Sequence, residues 1–198
     1  MGMTLDRLAR EVEALLMASE KPLSIERLCE LTGAGPEALE QAISRVEDAL
    51  AKGGHAMEIA FLAGGYRMVT DPELGTVVSR LFEGRRPGKL TRAAMETLAV
   101  VAYSQPCTRA HLETVRGVNC DSAMKTLLER DFVAISGRME TPGRPLLYST
   151  TAGFLEYFGL ARLEHLPRMD EIGNLLALGA DDLEKAALDL SKERDDES

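Results

Sequence analysis

The chain has no tryptophan and only five phenylalanines and four tyrosines in 198 residues, which excludes an interior built on stacked aromatic rings. Its core must be aliphatic, resting on Leu, Val, Ile, Ala and Met. Cysteine is also scarce. Cys29, Cys107 and Cys120 form neither a CxxC pair nor an even set, so a secreted disulfide framework is excluded and reduced thiols are expected. Long apolar runs are missing too. The opening stretch MGMTLDRLAREVEALLMASEK alternates charge with apolar residues, unlike a signal peptide or a membrane span. These absences lead to the expectation of a cytoplasmic protein with no membrane contact.

Groupings that carry chemistry are equally sparse. His55, His111 and His165 lack the HxxxH or HExxH spacing that places two imidazoles on one metal. Cys107 or Cys120 with His111 is the only nearby thiol and base, and nearness in sequence does not make a triad. Gly84 to Thr91 (GRRPGKLT) has three residues between its glycines where a phosphate loop has four. Leu90 also stands where that loop needs Ser or Thr, and no apolar strand precedes it. The expectation is a non-enzyme with no catalytic residue, metal or cofactor.

What is present is a core-forming composition, 45% apolar, with a net charge of −9 spread unevenly. Residues 1–84 hold 8 basic and 14 acidic side chains, residues 85–168 hold 12 and 8, and residues 169–198 hold 3 and 10. Only the middle third favours an anionic partner.

The order of elements repeats. In the first unit Leu5, Leu8, Val12, Leu15 and Leu16 form a helical stripe behind Thr4 as N-cap. Ser24 caps a short helix that Gly33 stops, and Pro36 opens a third helix carrying Leu39, Ile43, Val46 and Leu50. Met57 to Ala63 and Tyr66 to Thr70 read as a hairpin turning at Gly64-Gly65. A fourth helix, about Pro72 to Phe82, is expected to close the unit with Leu74, Val77, Val78 and Leu81.

After a turn-rich, charged linker, Thr91 caps a helix through Ala102, Thr108 caps a short one and Asn119 caps a third through Arg130. A second hairpin spans Val133 to Ser149 and turns at Thr141-Pro142-Gly143-Arg144, with Gly143 at the positive φ of a type II turn. Thr151 then caps a helix bearing Phe154, Leu155 and Phe158, and Leu160, Leu163 and Leu166 continue the apolar strip. From Arg168 the chain turns acidic, with Leu183, Ala186, Ala187 and Leu190 spaced for one marginal helix before a disordered end.

Helix, helix, helix, hairpin is the winged-helix order, so the fold class expected is mainly α with small β-hairpin wings (α+β), two winged-helix domains in tandem. The domains are expected at residues 1–84 and 91–167, with a linker at 85–90 and a partly disordered acidic tail at 168–198. Such a fold grips nucleic acid or another protein chain, so its surface must decide. As a major-groove reader the third helix of the second unit is weak, because Lys125 and Arg130 are balanced by Asp121 and Glu129. Arg138 and Arg144 around the wing, Arg116, and Arg85, Arg86, Lys89 and Arg92 near the linker make the better basic surface. They could equally stay solvated or pair with Glu113, Glu129 and Glu140.

TRAAMETLAVVAYSQP, RGVNCD, TLLERDFV and GRMETPGRPLLY closely resemble the signature run of bacterial segregation and condensation protein B, supported upstream by LMASEKPLS and AGGYRMVT. The resemblance covers about residues 5–167. It departs at Ser104, where the family usually has a basic residue, and at Cys107, where it has an aliphatic one. It implies a homodimer that binds the kleisin subunit, segregation and condensation protein A. Through the kleisin it would join the structural-maintenance-of-chromosomes (SMC) protein in chromosome condensation, partition and cell division on the nucleoid. The N-terminal domain is then expected to dimerise and the C-terminal one to hold the kleisin through Arg116, Asn119, Arg138, Thr141, Gly143 and Arg144. Gly117 and Pro145 would shape those loops, and DNA contact would be indirect or weak. The rival reading is a winged-helix DNA-binding transcriptional regulator.

Overall fold

The computed structural model describes residues 5–82 and 89–168. Thr4, most of the linker, and the expected helix and end of the acidic tail lie outside the described residues.

The first unit packs three helices over one hairpin. α1 (Leu5–Ala18) and α3 (Pro36–Gly53) bury Leu8, Val12 and Leu16 against Leu39, Ala42, Ile43, Val46 and Leu50. Both stripes recur at three and four residues, which puts each on one helix face. Between them α2 (Ile25–Thr32) adds Leu28. Ser24 Oγ accepts its Arg27 N–H at 3.3 Å, and Gly33, at φ 71°, ends it in the left-handed region.

Strands β1 (Met57–Leu62) and β2 (Gly65–Thr70) pair antiparallel, Ile59 opposite Met68 and Phe61 opposite Tyr66. The alternation turns Ile59, Tyr66 and Met68 toward the helical core. The turn departs from the expected Gly64-Gly65. It consists of Ala63 and Gly64, at φ 49° and 76°, the two positive angles a two-residue hairpin loop needs. Gly65 instead opens β2. A side chain there would place its Cβ 2.8 Å from the Leu23 backbone, where Leu23 and Tyr66 exchange N–H···O bonds of 2.9 Å.

The helix expected over Pro72 to Phe82 divides into a 3-10 turn at Pro72–Leu74 and α4 (Gly75–Leu81), with Asp71 accepting from Glu73 N–H. It does not close the unit. Val77 is 57% and Leu81 72% exposed, because the α1–α3 core is already complete without them.

The second unit repeats the plan around a separate core. α5 (Arg92–Ser104), α6 (Arg109–Arg116) and α7 (Asp121–Glu129) contribute Ala94, Leu98, Val101, Leu112, Met124 and Leu127. Thr91 and Thr108 cap α5 and α6 as expected, each accepting the N–H three residues on at 3.2 Å. α7 begins one residue later than expected. Cys120 takes the cap position, while Asn119 Oδ1 accepts from Asp121 N–H at 2.9 Å.

A strand that the sequence pattern did not reveal, β3 (Cys107–Thr108), pairs with β5 (Leu146–Thr150), and β5 pairs with β4 (Val133–Arg138), giving the order β3-β5-β4. Gln105 Oε1 accepts from both the N–H and the hydroxyl of Thr150, at 2.6 and 3.0 Å, and so pins the end of β5 beside α5. The register shifts between Ile135 and Gly137, which leaves Ser136 as an extra residue in β4. Thr151 caps α8 (Ala152–Phe158), which buries Phe154, and Leu160, Leu163 and Leu166 return over the same core.

Candidate functional site

The six residues expected to contact a partner fall at two places on the second unit. Arg116 ends α6, where Gly117, at φ 68°, turns the chain and donates its N–H to Glu113 O. Its guanidinium lies 2.8 and 2.9 Å from Glu96 Oε2 on α5, and its side chain is only 11% exposed. Glu96 also accepts from Arg92 Nε at 2.8 Å. The Arg92 hydrogen bond, with the charges of Arg116 and Arg92, holds the Glu96 carboxyl below its usual range. Arg116 is thus a tie between α5 and α6, paired with a residue other than Glu113, Glu129 or Glu140.

Asn119 is likewise engaged within the fold, since its Nδ2 also donates to Asp121 Oδ2 at 3.1 Å. Asp121 forms an ion pair with Arg109, and Arg109 Nε reaches Glu113 at 3.1 Å. These two acidic partners raise the Arg109 pKa, the hydrogen bond to Glu113 contributing most. On α7, Lys125 lies 3.8 Å from Glu129. On the helix that would enter a major groove, Asp121, Lys125 and Glu129 are thus paired locally.

Arg138, Thr141, Gly143 and Arg144 sit together in the wing. Arg144 N–H donates to Thr141 O at 2.9 Å, closing the expected turn with Gly143 at φ 86°, and Arg144 itself has φ 38°. Arg138 Nη1 donates to Arg144 O at 3.3 Å, and Met139 N–H to Pro145 O at 2.9 Å. The loop is ordered by its own backbone, while Thr141 and Arg144 face solvent. Sequence reasoning missed the exposed apolar residues beside these groups: Val115 and Val118 flank the Arg116 turn, and Ile135 and Met139 lie on the wing. A charge count does not weigh them, although an exposed apolar and cationic mixture is what a peptide surface uses.

Cys107 and Cys120 are buried, and burial pushes the Cys107 thiol pKa up, away from a reactive thiolate. Among the described residues no group of three or more His, Cys, Asp or Glu could hold a metal ion, and no helix is long and apolar enough to cross a membrane.

Two cores, each under three helices and an antiparallel hairpin, define a tandem winged-helix protein. The chain matches the family model of the segregation and condensation complex subunit ScpB over residues 10–169. It is 44% identical over 159 residues to segregation and condensation protein B of Symbiobacterium thermophilum, covering 80% of this chain and 72% of that one. A crystal structure of ScpB from Mycobacterium tuberculosis is 35% identical, with 81% of this chain and 99% of that one covered, at a TM-score of 0.40. A dimer of a ScpB N-terminal domain complexed with a ScpA peptide matches at 19% identity, covering 39% of this chain and 96% of that one, at a TM-score of 0.37. The chain belongs to the ScpB family of segregation and condensation subunits.

Proposed function

We propose that the chain is a non-enzymatic accessory subunit that dimerises through its N-terminal unit, residues 1–84, and holds the kleisin with its C-terminal unit, residues 91–167. Through the kleisin, segregation and condensation protein A, it joins the SMC protein in the cytoplasm, on the nucleoid. The observation that carries this reading is the family match itself, which runs through both winged helices rather than along one. The charge pattern supports it. α7 brings no net positive charge to a polyanion, while the wing offers Arg144 and Thr141 beside exposed Met139 and Ile135.

Arg116 and Asn119 act in this scheme by shaping the α6–α7 turn, and Arg138, Gly143 and Arg144 by shaping and presenting the wing. Two such surfaces on a dimer give multivalent contact, so each can be modest while the assembly is tight. On the N-terminal unit the exposed apolar side chains of α4, Val77 and Leu81, supply a surface for the second copy.

Co-purification with the kleisin tests the grip. The paired change Met139→Asp with Arg144→Glu should abolish capture while leaving the fold intact by circular dichroism. Undiminished capture by that variant, or by residues 1–88 alone, moves the grip to the N-terminal unit. Light scattering of Leu81→Asp should report a monomer, and a dimer of unchanged mass rejects α4 as the contact. Sequence-specific, salt-sensitive retention of a duplex in a gel shift would instead favour a DNA-binding regulator.

A further inference from the structure

The two units meet at a place that neither core accounts for. At the tip of the β1–β2 hairpin Ala63 N–H donates to Leu160 O, and Gly64 N–H to Ala161 O, both at 2.9 Å. Along the same hairpin Arg67 Nη1 lies 3.1 Å from Glu156 Oε2 on α8, the two side chains being 35% and 24% exposed. Ala161 is buried yet belongs to neither core.

Strand alternation explains the geometry. Ile59, Tyr66 and Met68 face the N-terminal core, so Ala60, Arg67 and Val69 point the other way, and all three are half-buried rather than open. A tight turn ordinarily leaves its central N–H groups to water, whereas here two consecutive ones find carbonyls in the other unit. Those carbonyls stand on a firm base. Gly159, at φ 67°, ends α8, Leu160 N–H returns to Leu155 O at 2.9 Å, and the Leu160 side chain packs on the C-terminal core. Leu160 therefore joins one unit by its side chain and the other by its carbonyl.

We propose that these three contacts form an intramolecular clasp that holds the two winged helices in one mutual arrangement, with the Arg67–Glu156 pair as its latch. The backbone bonds recognise any chain of the right shape, whereas the ion pair depends on two particular side chains and can be reversed. Because both units are on one chain, the clasp closes at high effective concentration, and weak contacts suffice. Opening it changes the spacing at which the N-terminal and C-terminal surfaces are offered, which makes the clasp a conformational control on assembly.

Hydrogen exchange on the full-length chain tests this, read at the Ala63 and Gly64 amides with the Leu23 and Tyr66 amides as internal controls. The wild type should protect both turn amides by about tenfold or more over the unstructured rate. Arg67→Glu or Glu156→Arg should remove that protection, and the double exchange should restore it, while the controls stay protected throughout. The milder Arg67→Gln, which deletes the pair without repulsion, should give a smaller loss in the same direction. Unprotected turn amides in the wild type, or protection unchanged in Arg67→Gln and both reversals, would overturn the proposal. So would a double exchange that leaves the turn open while the control amides remain protected.

Discussion

Leu28 and Leu112 hold the same place in the two units, the fourth residue of the second helix, and each is wholly buried. Just before those helices each unit adds a third partner to its hairpin: a single bridge from Leu23 to Tyr66 in one, the strand Cys107–Thr108 in the other. The units part after the hairpin. α8 seats Phe154 and is succeeded by three leucines that cover the core, whereas α4 leaves Val77 and Leu81 in the open. The helix after the hairpin thus serves the core in one unit and stays off it in the other, while both units keep exposed apolar side chains, Val77 and Leu81 on α4 and Val115, Val118, Ile135 and Met139 beside the α6–α7 turn and the wing. The difference lies in the segment after the wing, not in the three helices.

The two units can be set apart most strongly at their cores. Leu28→Ala and Leu112→Ala should each cost about 2–5 kcal/mol, and calorimetry should find each shifting a different melting transition. A single transition moved equally by both would mean that the two cores unfold as one. The hairpins come next. Gly65→Ala drives a Cβ into the Leu23 backbone and should cost about 1–3 kcal/mol in urea unfolding. Gly137→Ala, whose Cβ would meet only Leu147 Cδ1 at 4.0 Å, should change stability by no more than about 0.5 kcal/mol.

Caps give a smaller contrast. Ser24→Ala and Thr151→Ala should each cost about 1 kcal/mol in the same unfolding measurement. Thr151 should be the larger, because its hydroxyl also donates to Asp131 O. Smallest is the acid response at Glu96. Its folded pKa lies below the usual carboxylate value, so its contribution is present above that value and is lost as pH falls through the lower folded one. Melting temperatures of wild type and Glu96→Gln should therefore differ at neutral pH and converge in acid.

Much of this was legible where a local rule sufficed. Ser24, Thr91, Thr108 and Thr151 each accept the N–H three residues on, and Gly33, Gly117 and Gly143 take the positive φ their turns demand. Pairings that join distant residues were not. β3 is two residues long and has no period to read, and Arg116 meets Glu96 across 20 positions, beyond the helical spacings that announce a pair. Periodicity marked the apolar face of α4, but it cannot say whether anything covers that face. Of the six residues expected to meet a partner, three bond within the fold through their side chains, Arg116 to Glu96 across 20 positions, Asn119 to Asp121 two residues on and Arg138 to the Arg144 carbonyl six residues on. The bonds to Glu96 and Asp121 tie Arg116 and Asn119 into the α6–α7 turn, which no residue pattern announces.

The wing has a mechanical consequence. Its root is held twice at Thr150 by Gln105, and its tip is closed by the Thr141–Arg144 turn, so neither end yields easily. The ladder is interrupted at Ser136, where two residues of β4 face one of β5. A load applied at the tip would flex the hairpin there, like a stiff blade on a short spring, while α5 and the buried core stay still.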